Sequence, residues 1–151
     1  MIGFLFANKF NRIMLPSSMM EREKNIIRIV AAIVVDSNGN TLLVRKTGTD
    51  AFMQPGGKPE PNESHLNTLN REIQEELGCQ INERSAKYLG CFRAKAANET
   101  GWIVEAELYK VQLNGEPTPS AEIAELIWVN PSKLPNLILA PLTEFYVLPL
   151  V

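Results

Sequence analysis

One stretch of this chain, between Ser64 and Gly78, has the pattern of a single amphipathic helix, and this pattern constrains the fold most. Its apolar side chains recur at spacings of three and four residues, which places them along one side of a helix: Leu66, Leu69, Ile73 and Leu77. Ser64 is suited to cap the N-terminus, because its side-chain oxygen can accept a hydrogen bond from a first-turn N–H. Gly78 is suited to end the helix, because glycine tolerates left-handed backbone. The apolar side of such a helix must pack against other elements, which the rest of the chain has to supply.

The segments around this helix have the patterns of β-strands and turns. Strands are predicted at residues 25–35, 41–45, 87–94, 102–113 and 125–129, and a short terminal helix at 142–148. The turn between the first two strands contains Asn38-Gly39, which tolerates positive φ, so these strands are predicted to form a hairpin. One helix among several strands predicts a single mixed α/β domain of the α+β type over residues 25–151.

Residues 1–24 are interpreted as an N-terminal extension of this domain. The first 18 residues are apolar and basic, but their apolar stretch is broken by Asn8 and Lys9 and is too short for a secretory signal or a membrane span. We therefore favour a translation start at Met19 or Met20 over an organellar signal.

Composition excludes several classes of partner. Fifteen basic residues against seventeen acidic ones give a net charge of -2, so neither nucleic acid nor an anionic membrane is expected as the main partner. The two cysteines, Cys79 and Cys91, are too few for a disulfide framework and lack the spacing of zinc ligands. A reducing cytoplasmic location fits this composition.

Three glutamates on the predicted helix indicate a metal site. Glu72, Glu75 and Glu76 stand at i, i+3 and i+4, so they share one helix face, which is predicted to point away from the leucine stripe. Like charges at this spacing destabilise a helix by roughly 0.2 to 0.5 kcal/mol per pair, and the negative end of the helix dipole adds to the cost. In isolation such a cluster is usually a solvated face. A hard divalent cation such as Mg²⁺ or Mn²⁺ would supply the compensating charge.

The residues around these glutamates match a longer pattern. Gly57 is followed after five residues by Glu63, and after seven more by the run from Arg71 to Cys79, REIQEELGC. This arrangement resembles the Nudix box. Cys79 stands where the family usually has an aliphatic residue, but cysteine packs as a small hydrophobe. Residues 52–58 and 127–129 also resemble small MutT-like members, so the resemblance extends over most of residues 25–151.

The resemblance implies both a fold and an activity. The fold would be an α/β/α sandwich around a mixed β-sheet, in which the box forms a loop-helix-loop. The activity would be hydrolysis of a pyrophosphate bond, dependent on Mg²⁺ or Mn²⁺. The substrate would be a nucleoside diphosphate linked to another moiety, or a (deoxy)nucleoside triphosphate.

Carried over residue by residue, the resemblance also implies a metal shell. Its ligands would be the carbonyl of Gly56 and the carboxylates of Glu72, Glu75, Glu76 and Glu122. Glu72 is a candidate general base, but the family uses either a box glutamate or a later acid, and the sequence leaves this choice open.

Other residues of the pattern have expected roles outside the metal shell. Arg71 would orient the acids through ion pairs, and Glu63 either takes a direct catalytic part or places favourable charge near the helix N-terminus. Together with the three helix glutamates, these two complete the set of candidate catalytic residues. Lys58 is a candidate phosphate contact, and Gly57 and Gly78 are expected at backbone positions that a side chain would not allow.

Two other functions remain as alternatives. A non-catalytic nucleotide sensor would be expected to lose the box acids, whereas this chain keeps them. An RNA 5′-end pyrophosphohydrolase would be expected to carry a basic groove, which the acidic balance disfavours. The expected partner is thus a nucleotide-type small molecule, and the chain would act as a monomer or homodimer.

Overall fold

The computed structural model describes residues 25–151, so the predicted extension 1–24 lies outside the described residues. The elements in chain order are β1 (Ile26–Ile33), β2 (Thr41–Lys46), β3 (Phe52–Met53), β4 (Gly56–Gly57), α1 (His65–Leu77), β5 (Gln80–Lys95), β6 (Ile103–Asn114), β7 (Ile123–Val129), a π-helical turn (Thr143–Val147) and a 3-10 turn (Leu148–Leu150). Within residues 25–151, no helix is long and apolar enough to cross a membrane.

Helix α1 forms where its apolar stripe and caps predicted it. The Ser64 side chain accepts a hydrogen bond from the Asn67 N–H, and Gly78 ends the helix with a left-handed φ of 67°. Leu69, Ile73 and Leu77 are fully buried, as the spacing predicted.

The strands form two sheets, which confirms the predicted mixed α+β architecture. One sheet has the order β4-β1-β6-β5, with β1 parallel to β6 and the other pairs antiparallel. The other sheet has the order β3-β2-β7 and is antiparallel throughout. Strand β5 begins seven residues earlier than predicted because its register with β6 is irregular between Asn82 and Lys87, which obscures the strand pattern.

The predicted hairpin of the first two strands is wrong, because β1 and β2 belong to different sheets. Only their connection is hairpin-like: the Asp36 carboxylate accepts the N–H groups of Asn38 and Asn40, and Val35 and Thr41 form an isolated antiparallel bridge. The turn residues therefore reverse the chain as expected. Beyond the turn, β1 is paired on both edges by β4 and β6, which leaves no edge free for β2.

The strand β1 is buried on both faces and divides the core. Val30, Ala32 and Val34 pack with the apolar stripe of α1 on one face. On the other face, Ala31 and Ile33 pack with Leu142 and Val147 of the C-terminal segment: the predicted terminal helix is present here as π-helical and 3-10 turns. The mixed sheet thus lies between α1 and a thin C-terminal helical layer, which matches the expected sandwich.

Candidate active site

The glycine pair of β4 brings the central strand and the helix into close contact. Gly56 pairs with Ala31 and has a φ of 148°, and a Cβ at this position would lie 2.2 Å from the Val30 carbonyl oxygen. A Cβ on Gly57 would lie 2.4 to 2.7 Å from the carboxyl atoms of Glu72. A side chain at position 57 would therefore displace the Glu72 carboxylate, and the positive φ of Gly78 favours glycine.

Arg71 connects α1 to the loop that precedes it. Its guanidinium donates to both oxygens of Glu63 at 2.9 Å, to Glu72 Oε1 at 2.8 Å and to the Lys58 carbonyl at 3.0 Å. The planar guanidinium of arginine can donate several hydrogen bonds in this forked arrangement, whereas the ammonium group of lysine cannot. The ion pairing expected of Arg71 is therefore present, and it orients Glu72.

The Glu63 carboxylate accepts hydrogen bonds from several groups of the protein itself. Besides Arg71, its Oε1 accepts hydrogen bonds from the Thr68 hydroxyl at 2.7 Å and the Glu60 N–H at 3.0 Å. The Arg71 hydrogen bond, followed by these two donors, lowers the pKa of Glu63 to about 2. Its contacts are those of a residue that holds Arg71 and the helix start in place.

Glu76 does not lie on a solvated helix face, which is the usual place of an isolated acid cluster. Its side chain is buried with 7% exposure, and its Oε2 accepts a hydrogen bond from the Gly56 N–H at 3.2 Å. The Gly56 loop therefore covers this part of the helix. Burial, with smaller contributions from the Glu72 and Glu122 carboxylates, raises the pKa of Glu76 to about 8 against the lowering effects of the Gly56 N–H and Lys46.

The predicted metal-binding groups line one cleft of about 460 Å³. Glu72, Glu75 and Glu76 contribute from α1, and Glu122 contributes from the turn before β7. Gly56, Gly57 and Lys58 line it as well, whereas Glu63 and Arg71 do not. Lys46 and Lys95, which the sequence did not single out, add positive charge to the lining.

The donor set of this cleft fits a hard divalent cation. The ligating atoms on offer are carboxylate and carbonyl oxygens, which Mg²⁺ and Mn²⁺ prefer. Burial, followed by the neighbouring carboxylates, raises the pKa of Glu76, so a bound cation would stabilise its charged form. Within residues 25–151, no three His, Cys, Asp or Glu side chains are already arranged as a metal site. Glu72 is instead directed to Arg71, and Glu76 to the Gly56 N–H.

The cleft lining also contains apolar side chains: Ile27, Ile29, Val104 and Leu142. Two polar residues that the sequence did not indicate lie in the same lining. Among them, the buried Thr143 hydroxyl donates to Gln54 Oε1 at 2.7 Å. The Gln54 Nε2 is the one buried side-chain polar atom of residues 25–151 without a hydrogen-bond partner. The only sequence feature that could have indicated Gln54 as a cleft residue was its position just before Pro55-Gly56-Gly57.

Parts of this chain are similar to known proteins. A segment of 69 residues is 33% identical to an 8-oxo-dGTP diphosphatase from Proteus vulgaris and covers 43% of this chain and 60% of that protein. A segment of 49 residues is 43% identical to an RNA pyrophosphohydrolase from Halorhodospira halophila and covers 32% of this chain and 27% of that protein. This chain therefore spans less than two thirds of the length of these relatives.

Solved structures agree on the fold. The crystal structure of a MutT Nudix hydrolase from Burkholderia pseudomallei superimposes with a TM-score of 0.64 at 25% identity, over 75% of this chain and 89% of that one. Residues 26–150 match the family model of the NUDIX domain. Because this match covers most of the sequence and includes every carboxylate of the cleft, the chain belongs to the Nudix family.

Proposed function

We propose that this protein is a metal-dependent hydrolase that cleaves a pyrophosphate bond in a nucleoside diphosphate derivative or a (deoxy)nucleoside triphosphate. One observation carries the proposal: a single cleft is lined both by the carboxylates of Glu72, Glu75, Glu76 and Glu122 and by a set of apolar side chains. The carboxylates suit metal-bound phosphates, and the apolar side chains suit a planar base. The family membership and the pyrophosphate-cleaving relatives support the same activity.

The metal ligands in this proposal are Glu72, Glu75 and Glu76 of α1, with Glu122 and the Gly56 carbonyl as further candidates. A bound Mg²⁺ or Mn²⁺ would neutralise phosphate oxygens and lower the pKa of a water molecule. A bound cation would stabilise the charged form of Glu76, which burial otherwise makes unfavourable.

The remaining box residues position this shell. Arg71 fixes the Glu72 carboxylate, and Glu63 fixes Arg71 through two hydrogen bonds. We therefore propose that Glu63 is a positioning residue and not a direct participant. Lys58 lines the cleft with an exposed side chain, where its charge can attract a substrate phosphate.

The cellular setting is proposed on composition alone. Both cysteines are free, and Cys79 packs in the core, which is compatible with a reducing cytoplasm. We propose a monomer or homodimer, which light scattering on the purified protein would distinguish.

Substrate screening tests the proposed function. Purified protein would be assayed with Mg²⁺, with Mn²⁺ and with EDTA. The substrates would be nucleotide sugars, dinucleoside polyphosphates, ADP-ribose, canonical and 8-oxo (deoxy)nucleoside triphosphates, and 5′-triphosphorylated RNA. Product masses identify the bond that breaks. We expect metal-dependent turnover of one substrate class.

Variants connect that turnover to the cleft. Glu76→Gln is expected to lower kcat at least about a hundredfold, because it removes a charge next to the developing phosphate charge. Glu83→Gln makes the same chemical change on an exposed side chain of β5 and should leave turnover unchanged. Absence of turnover across the panel, or full activity of Glu76→Gln, would contradict the proposal.

A further inference from the structure

Gln54 is a side chain of the cleft lining that is buried yet incompletely hydrogen-bonded. Its exposure is 7%, and it lines the cleft together with Thr143. Buried side-chain amides normally satisfy both their oxygen and their nitrogen within the protein. The free Nε2 of Gln54 is therefore a donor that the protein itself does not use.

The free end of this amide is defined by Thr143. The Thr143 hydroxyl donates to Gln54 Oε1, so the oxygen is occupied and the buried NH₂ group is the end without a hydrogen-bond partner. Thr143 is fully buried at the start of the π-helical turn, and the preceding Ala140 N–H donates to the Phe52 carbonyl. This backbone pairing, two residues before Gln54 and three before Thr143, holds the two segments together.

The backbone of Gln54 is also fixed on its other side. The next residue, Pro55, accepts the Ala32 N–H through its carbonyl at 2.9 Å, which ties the loop to β1. A donor on such a restrained loop suits recognition, because little side-chain freedom is lost when a ligand binds.

The surroundings of Gln54 indicate what kind of group it would meet. Ile27, Ile29 and Leu142 line the same cleft and suit the face of a planar ring, and the carboxylates of this cleft suit phosphates. A ring carbonyl oxygen of a nucleobase is an acceptor that matches the unused donor. We propose that Gln54 Nε2 donates to such a carbonyl and so favours bases with an oxo group over bases with an amino group at the same ring position. This inference rests on the proposed nucleotide substrate.

Binding of nucleoside 5′-monophosphates tests the inference, because these compounds lack a pyrophosphate bond and remain intact. Two matched pairs, inosine against adenosine and uridine against cytidine, differ by an oxo or amino group at one ring position. We expect wild-type protein to bind the oxo member of at least one pair about tenfold more tightly by calorimetry. In Gln54→Met, which has similar length but no donor, this ratio should fall to near one.

Controls separate recognition from a structural role. Gln80→Met makes the same change at an exposed position of β5 and should keep the wild-type ratio. Thr143→Val keeps Gln54 but removes its anchor, and it should lower the ratio without abolishing it. Thermal unfolding of each variant reports on the fold. A purely structural Gln54 would lower Tm on substitution and leave the oxo-to-amino ratio unchanged.

The outcomes also distinguish this inference from the proposed function. If the wild-type protein shows no oxo preference, or binds none of the four monophosphates at millimolar concentration, the inference is wrong even where hydrolysis is observed. If the preference depends on Gln54 but no substrate of the panel is hydrolysed, recognition stands and the proposed hydrolase activity is wrong.

Discussion

Replacing Glu76 by glutamine is expected to stabilise the metal-free protein at neutral to alkaline pH while it abolishes turnover. The substitution keeps the shape of the side chain and leaves an oxygen to accept the Gly56 N–H. It removes a negative charge that is buried and close to Glu72 and Glu122. The same charge that makes the folded apoprotein less stable would be the one that binds the cation.

The sign and size of this effect follow from the pKa of Glu76. Its folded pKa of about 8 lies above its ordinary value of 4.5, so between these values the folded state binds more protons than the unfolded state. The free energy of unfolding therefore falls as pH rises from 4.5 to about 8, and it levels off above that. A pKa difference between 4.5 and about 8 lowers the free energy of unfolding by roughly 5 kcal/mol as an upper limit. Because relaxation and water entry reduce the cost of a buried charge, we expect about 2 kcal/mol or more.

Urea unfolding in EDTA, measured from pH 5 to pH 8.5, gives this quantity directly. The difference in unfolding free energy between Glu76→Gln and wild type should grow with pH. The unfolding free energy of Glu83→Gln, which changes an exposed side chain, should depend on pH in the same way as that of wild type. Addition of Mg²⁺ or Mn²⁺ should stabilise wild type at the alkaline end, because the cation binds the folded state, and should stabilise Glu76→Gln much less.

Two results would refute this reasoning. If Glu76→Gln and wild type show the same dependence of stability on pH, then Glu76 is not protonated in the folded state near neutral pH. If Glu76→Gln is less stable than wild type at pH 8.5 in EDTA, then the buried charge is compensated by groups already present in the cleft.

Two further predictions concern the residues around the carboxylates. Gly57→Ala places a Cβ within 2.7 Å of the Glu72 carboxylate, so that carboxylate must move. The metal-dependent kcat should therefore fall at least about tenfold. A wild-type rate in a folded variant would contradict this prediction. Glu63 has its pKa lowered to about 2, chiefly by the Arg71 hydrogen bond, so it stabilises the fold above pH 4.5 and loses this contribution as pH falls toward 2. Thermal unfolding of Glu63→Gln should therefore depend less on pH in that range, and an unchanged acid dependence would show that the pair contributes nothing to folding.

Features with local causes could be predicted from the sequence. Helix α1 was predicted because its caps and apolar spacing all lie within 15 residues, from Ser64 to Gly78. The carboxylates were predicted to share a site because a helix places i, i+3 and i+4 together. The mixed architecture followed from the order of strand and helix patterns.

Features that depend on distant segments could not be predicted. The pairing of β1 with β6 joins residues about 77 positions apart, such as Ile26 and Ile103, and no local pattern specifies it. The burial of Glu76 depends on the Gly56 loop, which lies 20 residues earlier. The contact between Gln54 and Thr143 spans 89 residues, so neither side chain could be assigned to the cleft from its own neighbours.

The two-faced burial of β1 has a consequence for how such a protein can diversify. Even-numbered residues of the strand, such as Val30 and Ala32, pack against α1, whereas the odd-numbered Ile27 and Ile29 line the cleft. Successive side chains of a strand point to opposite faces, so a substitution in one set leaves the packing of the other largely intact. Gene variants can therefore alter which ligand fits the cleft while the support of α1 is inherited unchanged.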